Sequence, residues 1–183
     1  MKQLFIACAA MVVLFSCDSK VAGKTEGDHS SIADQNAEST KKVFRAIETG
    51  DVAGLDSIFT ADVVDHNAGP QGQDIVGKDS VIAMLGQIHS YFDGLKLEMQ
   101  HHATSSDGQY HYATVKMTGT AKENPWGIPV GMKMDDTSVD VIRLKDGKAA
   151  EHWGFMSMQD FNEIMASMQG GPKPSPTDTS KAQ

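Results

Sequence analysis

Cysteine is almost absent from this chain, which has 183 residues and only two cysteines. Both of them, Cys8 and Cys17, lie close to the N-terminus. No disulfide can therefore cross-link the remainder of the chain, and its fold must be held together by a hydrophobic core. The chain is long enough to bury such a core within one domain.

Basic residues are also scarce, with 16 Lys and Arg against 24 Asp and Glu and a formal net charge of −8. Proteins that bind nucleic acid neutralise phosphates with clustered Lys and Arg. Because the sequence contains no basic stripe, its composition argues against a nucleic-acid partner. It also argues against electrostatic docking of the folded surface on anionic lipid.

A long apolar run occurs at the N-terminus, where Lys2 is followed by Leu4 to Phe15. This run is too short to span a bilayer and is typical of a secretory signal. Its end, Leu14-Phe15-Ser16-Cys17, resembles the bacterial lipoprotein box, in which the cysteine is acylated after cleavage. We therefore expect residues 1–16 to be a signal peptide and Cys17 to be lipidated in the bacterial cell envelope, facing the periplasm or the exterior. The alternative is an ordinary signal peptide that is cut elsewhere.

Composition divides the rest of the chain into three parts. Residues 17–30 are polar and predict a flexible tether, and residues 170–183 contain several prolines and no core residues, which predicts a disordered tail. Residues 31–169 form the predicted domain. Membrane contact of this domain would come only through the lipid on Cys17.

Apolar periodicity predicts helices at both ends of the domain. One helix is expected from Ser31 to Gly50, a short one after Asp51 and a third from Lys78 to Phe92. A last helix is expected after Ser157, with Asp160 completing a capping box.

Alternating residues predict strands between these helices. The strands are expected at Ala61 to His66, Leu95 to Ser105, Tyr110 to Gly119 and in a closing hairpin from Thr137 to Met156. Helices followed by hairpin-linked strands are typical of an α+β fold with an antiparallel sheet.

The loop before Tyr110 decides which residues of its hairpin meet. A three-residue loop with Gly108 in the left-handed conformation aligns the apolar faces of both strands, and we prefer it to a two-residue turn. It predicts that His101 and His111 are diagonal neighbours on the inner face. His102 would then point outward.

The closing hairpin is predicted to turn at Asp146-Gly147, which pairs Lys145 with Lys148. Strict alternation then defines two faces. The first carries Ser138, Asp140, Ile142 and Leu144 beside Ala149, Glu151, Trp153 and Phe155. The second carries Thr137, Val139, Val141 and Arg143 beside Ala150, His152, Gly154 and Met156. The first face is the more apolar one, and a carboxylate there is costly unless it is paired, hydrogen-bonded or protonated. We therefore expect the pKa of Glu151 to be raised by burial beside Ile142 and Trp153.

Several stretches resemble the SnoaL-like polyketide-cyclase or ester-cyclase group of the nuclear transport factor 2-like superfamily, over roughly residues 35–168. They are ETGDVAGLDSIFTADVVDHN (48–67), GKDSVIAML (77–85), GIPVGMKM (127–134) and KDGKAAEHW (145–153). The resemblance implies a cone-shaped, strongly curved antiparallel sheet whose N-terminal helices cover a pocket. It also implies metal-free chemistry without a cofactor.

In the cyclases of this group, an acid four residues after the tryptophan that matches Trp153 is the general base. Here that position is Ser157, so the base of the family is missing. The histidine of the family at the end of the first strand corresponds to His66. We therefore select Glu151 and His66 as candidate catalytic residues. For Glu151, a structural ion pair or hydrogen bond with His66 is equally compatible with the sequence. The candidate ligand-pocket residues are His101, His111, Asp140, Trp126, Trp153 and Phe155. For Trp126, a lid over the pocket and a buried ring that anchors its loop are equally compatible with the sequence.

Three functions are compatible with these features. The first is a lipoprotein that binds a small, largely apolar molecule in its pocket. The second is a metal-free acid–base enzyme of cyclase, isomerase or dehydratase type that uses Glu151 and His66. The third is a self-associating scaffold with a vestigial pocket. A homodimer is expected through the back of the sheet, where Val139, Val141, Ala150 and Met156 make an apolar surface.

Overall fold

The computed structural model describes residues 26–69, 71–123 and 126–169, which form three helices and six strands. The helices are α1 (Glu26–Thr49), α2 (Lys78–Gln87) and α3 (Met158–Met168). The strands are β1 (Phe59–His66), β2 (Ile75–Val76), β3 (Phe92–Thr104), β4 (Tyr110–Ala121), β5 (Lys133–Lys145) and β6 (Lys148–Met156). None of the helices in these ranges is both long and apolar enough to cross a bilayer.

All six strands belong to one curved sheet, in the order β2-β1-β6-β5-β4-β3. The strands from β3 to β6 form a meander of antiparallel hairpins, whereas β1 runs parallel to β6. The predicted α+β fold with a curved sheet covered by helices is therefore confirmed. The sheet is mixed, however, because β1 enters it beside the last strand of the chain.

The helices differ from the prediction at their ends. The short helix expected after Asp51 is only a 3-10 turn at Leu55–Ser57, since Gly54 adopts a left-handed conformation with φ 82°. The helix predicted to reach Phe92 ends at Gln87 and tightens into a 3-10 turn. At the N-terminus, α1 includes residues 26–30 of the predicted tether.

Ser157 caps the last helix as predicted, but its contact with the Asp160 carboxylate is made through the Ser157 hydroxyl and not through the backbone N–H of a regular capping box. The Ser157 hydroxyl donates a hydrogen bond to Asp160 Oδ2 over 2.7 Å and accepts one from the Asp160 backbone N–H over 3.0 Å. The predicted signal peptide, Cys17 and the whole predicted tail (170–183) lie outside the described residues.

Helices α1 and α2 cover one face of the sheet, which we call the inner face; the opposite one is the outer face. Phe44 of α1 and Leu85 of α2 pack with Val63 of β1 and Val115 of β4 in one buried cluster. Burying each large apolar side chain stabilises the fold by roughly 1.5–3 kcal/mol. The hydrophobic core therefore lies between the helices and the inner face.

The closing hairpin turns as predicted but contains a bulge. Asp146 and Gly147 both have positive φ, 52° and 74°, and Lys145 pairs with Lys148. Beyond the turn Leu144 pairs with Ala149, but Arg143 pairs with Glu151, so that Ala150 is an extra residue in β6.

This bulge exchanges the two faces of β6, because a slip of one residue turns every following side chain over. His152 lies opposite Ile142 on the inner face. The predicted inner-face positions of Glu151, Trp153 and Phe155 are wrong: these residues pair with Arg143, Val141 and Val139 on the outer face.

A second bulge, in β3, reverses the predicted orientations of His101 and His102. Gly108 has the expected positive φ of 73°, but the loop has four residues instead of the predicted three, because Thr104 pairs with His111 and the Ser105 N–H donates to the Tyr110 carbonyl over 2.9 Å. Farther from the turn, Leu97 pairs with Met117 as predicted, because the bulge offsets the extra loop residue. After Met99 the register shifts, so His101 pairs with Thr114 and points outward. His102, which was predicted to point outward, is the inner neighbour of His111, with ring centroids 5.7 Å apart.

Candidate functional site

Helices α1 and α2 and the inner face enclose a cavity of about 100 Å³. Its wall is largely apolar and includes Val43, Phe44, Ile47, Ile58, Phe59, Val63, Val81, Leu85, Ile142, Leu144 and Ala149. Its ionisable lining groups are Asp65, His111, Asp140 and His152. Such a site, apolar with a few convergent polar groups, is typical of ligand binding.

The parallel pairing of β1 with β6 places Asp65 beside His152 on the inner face. The Asp65 carboxylate is buried, and its Oδ1 is 2.7 Å from Nδ1 of His152. On the other side of the ring, Nε2 of His152 is 3.8 Å from Oδ1 of Asp140 on β5, too far for a hydrogen bond. His152 therefore lies between two carboxylates, one in tight contact and one in loose contact.

Burial lowers the pKa of His152, but Asp140 and Asp65 outweigh this effect and raise it to about 10. His152 is consequently an imidazolium at neutral pH. Two carboxyl groups therefore share one imidazolium. Among the described residues that line the cavity, none is Lys or Arg.

His111 occupies the same cross-strand row of the inner face, opposite Ile142, which in turn lies opposite His152. Its side chain is fully buried, with 1 % of the residue exposed. Its Nδ1 is 3.0 Å from the Thr104 hydroxyl, whereas its Nε2 has no hydrogen-bond partner among the described residues. Burial and the nearby His102 lower the pKa of His111 to about 4, so that its imidazole is neutral at physiological pH.

The two candidate catalytic residues meet on the outer face, away from the cavity. Glu151 Oε1 accepts hydrogen bonds from the Arg143 guanidinium, with a distance of 2.7 Å to Nε, and Oε2 is 3.0 Å from Nε2 of His66. His66 also approaches Asp74 Oδ2 at 3.0 Å, and its ring stacks on Trp153 with centroids 4.6 Å apart. The sequence therefore correctly indicated that Glu151 and His66 are neighbours, but it placed them on the wrong side of the sheet.

The expected rise in the pKa of Glu151 is wrong for the same reason. Hydrogen bonds from His66 and Arg143 favour the carboxylate and lower the pKa of Glu151 below its usual value. The reciprocal hydrogen bond to Glu151 raises the pKa of His66. This cluster has the properties of a partly buried ion-pair network that joins β1, β5 and β6.

The other predicted pocket residues fall into two groups. His111 and Asp140 line the cavity, whereas His101 and Phe155 are exposed on the outer face, Phe155 by 56 %. Trp126 does not line the cavity. Its ring packs edge-on against Tyr91 at 5.5 Å, and its Nε1 donates a hydrogen bond to the Ala68 carbonyl over 3.4 Å, so it anchors its loop.

Two cavity residues, Asp65 and His152, were not among the sequence-based candidates. One signal in the sequence could have revealed them. Strict alternation puts the Glu151 carboxylate on an apolar face and the His152 ring beside the Arg143 cation, and both placements are unfavourable. A single bulge in the Ala149-Ala150 pair resolves both conflicts, because it brings Glu151 to Arg143 and His152 to Asp140.

A family model described as SnoaL-like domain matches residues 40–152, which include all four ionisable lining groups of the cavity. No curated protein matches the sequence significantly.

Solved structures share the fold at low sequence identity. TsrD from Streptomyces laurentii is 18 % identical, with a TM-score of 0.61 over 73 % of this chain and 96 % of that chain. A protein described as a SnoaL-like polyketide cyclase from Jannaschia sp. CCS1 is 20 % identical, with a TM-score of 0.61 over 77 % and 96 %. A protein with a ketosteroid isomerase-like fold from Catenulispora acidiphila is 13 % identical, with a TM-score of 0.55 over 76 % and 98 %. At these identities the similarity concerns the fold alone.

Proposed function

Because this chain belongs to the SnoaL-like domain family, we propose that its inner cavity binds a small, largely apolar molecule. One observation carries this proposal: an apolar cavity between the helices and the sheet contains the group Asp65, His152 and Asp140. Apolar walls supply affinity by burying ligand surface, and a few fixed polar groups supply orientation.

A second candidate is metal-free acid–base chemistry on that molecule. Two structural neighbours are described as a polyketide cyclase and as an epoxide hydrolase/cyclase-like enzyme. The observation in its favour is the position of His152 between two carboxylates. Asp140 would accept a proton and the His152 imidazolium would supply one, while Asp65 fixes the ring. Asp140 and His152 thus replace Glu151 and His66 as the candidate catalytic residues, because Glu151 and His66 lie on the outer face.

The cellular setting of the binding domain is also a proposal. The lipoprotein box at Leu14-Phe15-Ser16-Cys17 supports lipidation of Cys17 and anchoring in the bacterial envelope. The domain would then sample small molecules outside the cytoplasm while tethered to a membrane.

A homodimer through the outer face is proposed as the assembly. The structure changes which residues form this surface: Val139 and Val141 remain, but Phe155 and Trp153 replace the predicted Ala150 and Met156. Ala150 is buried, Phe155 is 56 % exposed, and Tyr112 beside Val141 is 39 % exposed. An apolar sheet face of this kind is typical of an interface between copies.

The binding function is tested by native mass spectrometry of the purified protein, which would detect a co-purified small molecule. The variant Val43→Trp fills the cavity from α1, and the matched variant Val76→Trp adds the same ring at a 61 % exposed position. We expect the bound mass in the wild type and in Val76→Trp but not in Val43→Trp. A bound mass that survives in a folded Val43→Trp variant would place the ligand elsewhere.

A further inference from the structure

We infer that the molecule bound in this cavity carries a protonated amine that pairs with Asp140. This inference rests on the proposed binding function and names the chemical class of its ligand: a small, apolar amine. Its grounds are the charge of the cavity, the incomplete pairing of Asp140 and an unpartnered buried histidine nitrogen.

The cavity lining contains more acidic groups than cations. Asp65 and Asp140 share the single imidazolium of His152, so one carboxyl group has no cation of its own. No Lys or Arg among the described lining residues offsets this charge. Because an uncompensated charge in an apolar site is costly, the cavity favours a cation over a neutral or anionic ligand.

Asp140 is the carboxylate that can accept a hydrogen bond from a ligand. Asp65 Oδ1 is 2.7 Å from Nδ1 of His152, whereas Asp140 Oδ1 is 3.8 Å from Nε2 of the same ring. The cross-strand neighbours of Asp140 are Gly154 on β6 and Ala113 on β4, and neither has a polar side chain. An ammonium N–H could therefore donate to Asp140 in a charge-assisted hydrogen bond without displacing the contact between His152 and Asp65.

The lining around these carboxylates suits an alkylammonium group. Phe44 and Phe59 line the same cavity, and aromatic faces attract cations in addition to burying apolar surface. Independently, Nε2 of the fully buried His111 has no hydrogen-bond partner among the described residues. Since buried polar atoms are almost always paired, this nitrogen indicates a ligand with hydrogen-bonding groups rather than a hydrocarbon.

The test compares three probes of nearly the same shape and different charge: tert-butylammonium, tert-butanol and trimethylacetate. Each is titrated into the folded protein at neutral pH, and binding is followed by methyl NMR shifts of Val63 and Ile142, which line the cavity. We expect tert-butylammonium to bind roughly tenfold to a hundredfold more tightly than tert-butanol, the ratio for a hydrogen bond to a charged group. Trimethylacetate should bind most weakly of the three.

The variant Asp140→Asn should abolish this preference and leave tert-butanol binding in place. Asp135→Asn is the matched control, since it makes the same change on β5 at a side chain that is 69 % exposed and pairs with Lys116. If tert-butanol binds in the cavity as tightly as tert-butylammonium, the inference is overturned while the proposed function stands. If none of the probes shifts Val63 and Ile142, both fail. Should Asp140→Asn not fold, the comparison of the three probes on the wild type decides alone.

Discussion

Glu151 and His152 are consecutive in β6, yet their side chains lie on opposite faces of the sheet and serve different purposes. Glu151 closes an ion-pair network with Arg143 and His66, and His152 enters the cavity between Asp65 and Asp140. The bulge at Ala150 sets which of the two residues faces the cavity. Removing either residue should therefore affect a different property of the protein.

Glu151→Gln should lower the free energy of unfolding by about 1–2 kcal/mol, because the charge-assisted hydrogen bonds with Arg143 and His66 are weakened. Binding of tert-butanol in the cavity should not change. Urea unfolding and NMR titration measure the two effects, and Glu98→Gln on an exposed position of β3 is the matched control. A Glu151→Gln protein with unchanged stability and lost binding would contradict the structural role of Glu151.

The pH dependence of stability should report on His152. Its pKa is raised from 6.5 to about 10 in the folded protein by Asp140 and Asp65, so the folded state holds a proton that the unfolded state releases first. The stabilisation is complete below pH 6.5 and is lost as the pH rises through about 10.

The measurement is urea unfolding of the wild type and His152→Gln across that interval. The free energy of unfolding of the wild type should fall more steeply with rising pH than that of the variant. Parallel curves would show that Asp65 and Asp140 do not stabilise the protonated form of His152 in the folded protein.

Val141→Asp should convert the proposed homodimer into monomers, because it places like charges near the two-fold axis of the outer face. Sedimentation of the purified domain measures the change. Val76→Asp is the control, since it adds the same charge at an exposed position on β2. A monomeric wild type, or a Val141→Asp protein that remains dimeric, would reject the outer-face dimer.

Cys17→Ser should release the protein from the membrane fraction. A single acyl chain holds a protein only weakly, so stable anchoring through Cys17 implies more than one chain. Membrane fractionation of cells that express each form gives the result. If Cys17→Ser stays with the membranes, the lipoprotein box at residues 14–17 has been misread.

Local sequence patterns and the family resemblance predicted most of the fold. The turn at Asp146-Gly147, the apolar stripe of α2 and the Ser157 cap depend on neighbouring residues, whose conformational preferences can be read directly from the sequence. The position of β1 beside β6 could not be derived in this way, because it depends on contacts between residues far apart in the chain.

The site was predicted less well than the fold, and two bulges account for most of the difference. One extra residue at Ala150 and one shift after Met99 exchange the roles of Glu151 with His152 and of His101 with His102. Short-range propensity does not distinguish a regular strand from a bulged one, since it depends on residue type and not on the face that each side chain occupies. Only the partners across the sheet, Arg143 for Glu151 and Asp65 for His152, select the bulged register.

We expect ligand to bind on the inner face, next to His152, and not on the outer face beside Glu151. The most direct test is an intermolecular NOE measurement on the complex with tert-butylammonium. We predict NOEs from the tert-butyl protons to the side-chain methyl groups of Val63 and Ile142. NOEs to Val139 and Val141 instead, with none to Val63 or Ile142, would contradict it.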